Sequence, residues 1–213
     1  MKTIKTSLLL ILCVAVAQLL SSCEACQKAK ETANNMESLA KAGQEMAKTA
    51  ESSTKRMEER KAKGDTLAMP YKDLQAFLPS IGGYEKDGNP EGQAMNMTGL
   101  SYSTTTQKYK KGDSNIKVSI TDYNAAYSMF MGVTAMMNAG FSVENDEELT
   151  HGVDLGITDV KGFETVKKKQ KNATLLVAVA DRFFVSLEGE NMDNSDALKE
   201  IAKNMDLKAL AAK

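Results

Sequence analysis

All three prolines of this chain, Pro70, Pro79 and Pro90, fall between residues 70 and 90. Proline and glycine punctuate a chain, so this cluster divides it into two kinds of segment. Upstream, Glu24 to Lys63 has no proline and one glycine, and is rich in Ala, Lys, Glu and Met. These are strong helix formers. Ala29, Met36, Gly43, Ala50 and Met57 recur every seven residues, with Ala33, Ala40, Ala47 and Thr54 between them. That 3-4 spacing is the pattern of a coiled-coil seam. A seam of such small residues buries little area and stabilises an oligomer only weakly. Three readings stay open: a monomeric spacer helix, a homo-oligomeric stalk, or a helix folded back on the head domain.

Gly64-Asp65 ends the helical pattern, which places a stalk over 23–64 and a head domain over 65–213, long enough for a core of its own. Pro70 suits the first turn of a short helix carrying Leu74, Phe77 and Leu78. A strand is expected near 91–97. Ser101–Lys110 and Asn115–Asp122 read as a hairpin, since Ile116, Val118 and Ile120 alternate with Lys117, Ser119 and Thr121. Asn124–Ala139 reads as an apolar helix, because no charge occurs from Tyr123 through Val143. Strands are then expected over Asp154–Asp159, Gly162–Lys169, Thr174–Ala180 and Arg182–Glu188. A last helix, Asp196–Asn204, is capped by Ser195, with Leu207 and Leu210 docking after it. Short-linked strands imply an antiparallel sheet with packed helices, an α+β class, preceded by the long N-terminal stalk helix.

The inventory of chemistry is thin. His151 is the only histidine and reads as a surface or turn residue. A Ser-His-Asp arrangement would need it as base, yet no serine sits in a G-x-S-x-G elbow. No H-E-x-x-H, phosphate-binding loop, EF-hand loop or dinucleotide fingerprint occurs. No catalytic, cofactor-binding or metal residue is therefore assigned, and no cofactor is expected. Of the 13 methionines, Met129, Met131, Met136 and Met137 gather on one helix. Thioethers suit Cu(I), but core filling is their commoner use. Tyr127, Met129, Phe130, Met136 and Met137 form the best candidate interaction face. The basic run Lys167 to Lys171 and the acidic run Glu144 to Glu148 read as solvated surface, with contact to anionic headgroups or glycan as the sharper alternative for the lysines.

The N-terminus supplies the strongest motif. Lys2 and Lys5 precede an unbroken apolar run from Leu8 to Ala17, and Leu20-Ser21-Ser22-Cys23 closes it. A positive start, an apolar stretch too short to span a membrane comfortably and small residues at its end make an export signal. Leu20, Ser21, Ser22 and Cys23 match the lipobox, so the chain resembles bacterial lipoproteins. That resemblance implies cleavage of residues 1–22, diacylglycerol on the Cys23 sulfur, palmitate among its acyl chains, and a place in the cell envelope, with the outer membrane favoured and the head facing periplasm or surface. Cys26 then remains as a thiol beside the anchor. The seam is similar in periodicity alone to murein lipoprotein. The element order of the head is similar to PsbP-type domains and other envelope lipoproteins, without a shared motif. The charges, 27 basic against 28 acidic, call for no polyanionic partner, and nucleic acid is not expected. The expected function is a non-catalytic envelope lipoprotein. Its membrane contact is the lipidated Cys23, and its head binds another envelope protein or the chain self-associates through the stalk. A small or lipophilic ligand module is the alternative, with the ligand between the 123–139 helix and the sheet, and a carboxylate-based hydrolase is the weaker one.

Overall fold

The computed structural model describes residues 44, 47, 48, 50–124, 126, 129–131, 134, 137 and 140–213. The signal, Cys23, Cys26, the stalk before residue 44, Tyr127 and Met136 lie outside these. Residues 45–213 form one compact unit.

The class is α+β. The described residues form an eight-stranded, wholly antiparallel sheet: β1 (Glu85–Met97), β2 (Leu100–Lys111), β3 (Ser114–Asp122), β4 (Val143–Glu144), β5 (Glu148–Val153), β6 (Val160–Lys167), β7 (Asn172–Val179) and β8 (Phe183–Glu190). The order across the sheet is β1-β2-β3-β8-β7-β6-β5-β4. Two meanders thus meet where β3 pairs β8, with Ile120 opposite Val185. Five helices are described: α1 (50–62), α2 (Tyr71–Leu74), α3 (seen at 129–131, 134 and 137), α4 (Asp196–Asn204) and α5 (Leu207–Ala211).

Strand alternation sorts the sheet into two faces. Ile116, Val118, Ile120, Leu175, Val177, Phe183, Val185 and Leu187 share the inner face and are all fully buried with Leu74, Leu198, Leu207 and Leu210 from the covering helices. β2 continues this face with hydroxyls instead of methyls. Ser101, Ser103, Thr105 and Gln107 are buried there, and each finds a polar partner. Ser101 Oγ accepts from Ala68 N–H at 2.8 Å, and Ser103 donates to Met69 C=O at 2.5 Å. Thr105 donates to Glu91 C=O, and Gln107 to Gly88 C=O. The segment before α2 is therefore hydrogen-bonded onto the sheet rather than packed by apolar contact alone.

α1 packs on the rest of this unit. Ser53 is fully buried, and Ala50, Thr54, Met57 and Arg60 are half-buried, while Glu51, Lys55, Glu58 and Glu59 face solvent. Arg56 pairs with Asp159 at 2.9 Å and Asp181 at 2.6 Å. Residues 50–62 thus pack on the head, and the helical segment before residue 44 lies outside the described residues. Beneath α1 sits a buried polar knot. Asp122, at the end of β3, receives Arg182 Nε and Nη2, with the shortest contact 2.8 Å. It also accepts the N–H groups of Met69 and Asn124, both at 2.8 Å. Arg182 Nη1 donates to Asp65 at 2.9 Å and to the Lys213 backbone oxygen at 2.8 Å. Asn124 links Asp65, Leu67 and Arg60 Nε. Burial and the neighbouring Arg182 push the Arg60 guanidinium below its ordinary range.

Three expectations are corrected. Asp154–Asp159 is a loop, not a strand; Gly156 turns it with a φ of +70°, and Gly156 N–H donates to the Asp154 carboxylate. The strand in this region is β5, which the acidic character of residues 144–148 disguises. Pro70 precedes α2 as its cap residue instead of opening its first turn. Ser195 stands at the start of α4 but makes no cap bond to it; its hydroxyl is committed elsewhere.

Candidate functional site

The anticipated interaction face begins where β3 ends. Tyr102, on the outer face of β2, meets the Tyr123 ring at 6.5 Å between centroids. Tyr123 in turn meets Phe130 edge-on at 6.4 Å. This aromatic ladder carries the chain from the sheet into α3, so α3 starts over the outer face. Ala126, Phe130 and Thr134, four residues apart, are buried, as helical spacing requires. Phe163 and Ala178, on the outer face of β6 and β7 by register, are also buried. None of these five belongs to the inner core. Burial, then the nearby Tyr102, raises the Tyr123 phenol above its usual pKa. Within the candidate face the side chains separate: Phe130 is 2% exposed, Met137 half-buried and Met129 44% exposed. Phe130 is thus a packing residue, and Met129 is what the helix offers to solvent.

A second constellation was not legible in the sequence. His151 on β5 and Glu164 on β6 are directly paired across the sheet, and both point to the inner face. His151 Nε2 lies 2.9 Å from Glu164 Oε1, with the carboxylate 4% exposed. Ser195 donates its hydroxyl to Glu164 Oε2, and Lys199 Nζ approaches the same oxygen at 3.3 Å. Hydrogen bonding to Asp196, then to Glu164, raises the Lys199 ammonium despite a counteracting burial. The residue types are those of a catalytic triad, but the connectivity is different. In a triad the imidazole stands between serine and carboxylate. Here the carboxylate is the centre, with serine, imidazole and ammonium around it, and Ser195 is 2% exposed. The arrangement ties α4 to β5 and β6 by neutralising a buried carboxylate. His151 is thereby a strand residue with a partner, not a turn residue.

The third feature is a cleft of about 460 Å³ on the outer face, at the far end of the sheet from Tyr102. Lys108, Lys110, Lys117, Glu188 and Thr174 line it. Lys117 pairs with Glu188 at 2.8 Å, and Asn115 donates to Glu190 at 2.9 Å. Its chemistry is polar and mixed in charge, so it suits a small polar molecule rather than a lipid tail. The basic run lies apart from it. Lys169 pairs with Glu147 at 2.6 Å, Lys168 Nζ donates to Asn145 C=O, and Lys171 meets Asp193 at 3.2 Å. Within the acidic run, Glu147 and the Asn145 carbonyl thus answer Lys169 and Lys168, and Asp193 answers Lys171. Among the described residues no group of three His, Cys, Asp or Glu side chains converges to hold a metal ion, and no described helix is long and apolar enough to cross a membrane.

No family model and no curated protein matches the chain. Among solved structures it is similar to an uncharacterised protein of Mycobacterium smegmatis, the ortholog of Rv0999. That similarity has 8% identity over 56% of this chain and 80% of that one, with a TM-score of 0.29.

Proposed function

We propose that the protein is a lipid-anchored bacterial envelope lipoprotein, held by Cys23 in the outer membrane, whose non-catalytic head binds another envelope protein. The observation that supports this reading best is the split in α3. Phe130 anchors the helix while Met129, one residue away, is left 44% exposed. A flexible thioether on an otherwise uncharged helix is a surface that adapts to a partner's shape. A helix closing a lipophilic pocket would instead turn its large side chains toward the cavity. The test is native mass spectrometry on protein gently extracted from its own envelope, with Cys23→Ala and Met129→Lys variants. Wild type should carry a second polypeptide and the mass of its acyl chains. Cys23→Ala should lose the acyl mass and membrane retention. Met129→Lys should lose the second polypeptide and keep its fold. A bare head in wild type overturns the partner reading.

The small-ligand alternative has one observation in its favour, the polar cleft between β2, β3 and β8. A small polar mass on the extracted head, lost in Lys117→Ala, would replace the partner reading with this one.

A further inference from the structure

β1 and β4 are the two edges of the sheet, and they are built differently. β4 is two residues long, too short to template another strand. β1 runs for 13 residues, and about half of its backbone N–H and C=O groups point away from β2. Natural sheets guard such an edge with charge, proline or a bulge. In β1 these guards occupy only the first half: Glu85, Lys86 and Asp87, a bulge between Asp87 and Glu91, and Pro90. From Gly92 to Gln107 there is no Asp, Glu, Lys or Arg, in a chain where those residues are 26% of the total. Every residue from Glu91 to Met97 is exposed. Met95 and Met97, on the outer face by register with Tyr102 and Leu100, are 41% and 65% exposed.

We propose that this half of β1 pairs antiparallel with β1 of a second copy of the chain, joining two eight-stranded sheets into one. The edge is self-complementary in the register centred on Met95. Met95 then meets Met95, Gln93 meets Met97, and Ala94 meets Asn96. Glu91, the nearest charge, falls opposite Gly99 at the tip of the partner's hairpin, so no like charges face one another. Pairing covers the exposed methionines and supplies the unmatched backbone groups with partners. The part of the seven-residue seam that lies upstream of α1, Ala29, Met36 and Gly43 with Ala33 and Ala40 between them, is a second sequence feature suited to holding copies side by side, which favours a second copy over a foreign strand as the occupant. The inference concerns a different strand and a different occupant from the Met129 reading, so either can fail alone.

The experiment uses the full-length protein in its native envelope, with Cys13 and Cys26 replaced by Ser and Cys23 kept for its lipid. Single cysteines are placed at exposed positions and oxidised in situ. Directly opposed residues lie within disulfide reach, so Met95→Cys should give a disulfide-linked dimer. Residue 93 and its copy stand about 13 Å apart in this register, as do the two residues 97. Gln93→Cys and Met97→Cys should therefore each cross-link poorly alone and well when co-expressed. Lys203→Cys, on the exposed side of α4, sets the background. Met95→Cys at that background overturns the proposal. So does equal cross-linking of Gln93→Cys or Met97→Cys alone and together, because that pattern marks collision without register. Capture of Met95→Cys by a different polypeptide overturns the second copy as occupant.

Discussion

Asp122 shows how much one residue can hold. Its carboxylate is fully buried and accepts from one guanidinium and two backbone N–H groups. It thereby fixes the end of β3, the segment entering α2 and the first residue of the α3 region at a single point. A buried carboxylate is tolerated only when its acceptor capacity is filled, and here it is. Removing one partner of such a pair strands the other charge, which typically costs 3–5 kcal/mol. Asp122→Ala should destabilise the protein by about that much, read as a lower denaturant midpoint at unchanged slope. Lys117→Ala breaks an exposed pair and should cost no more than about 1 kcal/mol by the same measurement. Equal losses would show that the Asp122–Arg182 pair does not anchor the fold.

At the scale of elements, β3 and α4 were legible because each has a clean period and one buried face. β1 was legible only in its second half, near 91–97, for two physical reasons. As an edge strand it shows solvent on most sides, so no alternation marks it. Its Gly88 and Gly92 also look like turn residues. Yet Gly92 is there because a Cβ would overlap the Tyr71 ring. β2 hid its burial differently, since Ser101, Ser103 and Thr105 satisfy backbone groups across it rather than filling space. The His151–Glu164–Ser195 cluster joins residues 13 and 31 positions from Glu164, a separation that no local pattern reports. The polar knot spans still more sequence. The β6–β7 connection carries a testable defect. Lys171 closes it with a φ of +52°, a left-handed conformation that costs an L-residue roughly 1–2 kcal/mol. Glycine relieves this, less about 0.5–1 kcal/mol of added chain entropy, and the Lys171–Asp193 contact is exposed and worth little. Lys171→Gly should therefore stabilise the protein by about 0.5–1 kcal/mol, seen as a Tm rise of about 2 °C for a unit of this size. An unchanged or lower Tm would mean that the ion pair outweighs the strain.

For the whole unit, the sheet divides labour between its faces. The inner face carries the apolar core with α2, α4 and α5, and the outer face carries α3, the cleft and the exposed methionines. Tyr109 is the residue through which the inner face reports on the entire fold. It is 1% exposed at the end of β2, and its hydroxyl donates to Pro79 C=O at 2.6 Å, tying the proline-rich segment to the sheet. Burial pushes its phenol up to about 12, from an ordinary value of 10. Between those values the unfolded chain gives up this proton and the folded protein keeps it. Stability from this group is thus fully present below pH 10 and is lost as pH rises through 12. Two pKa units correspond to about 2–3 kcal/mol at the end of that window. Tyr123 is raised as well and adds to the alkaline slope, so the slope should not vanish when Tyr109 is changed. Tyr109→Phe should cost on the order of 1 kcal/mol at pH 7, where it removes a hydrogen bond. It should also flatten the fall in denaturation free energy between pH 10 and 12, so that variant and wild type converge or cross there. Parallel curves across that window would show that the Tyr109 proton is not retained by the fold, and that the proline-rich segment opens before the sheet does.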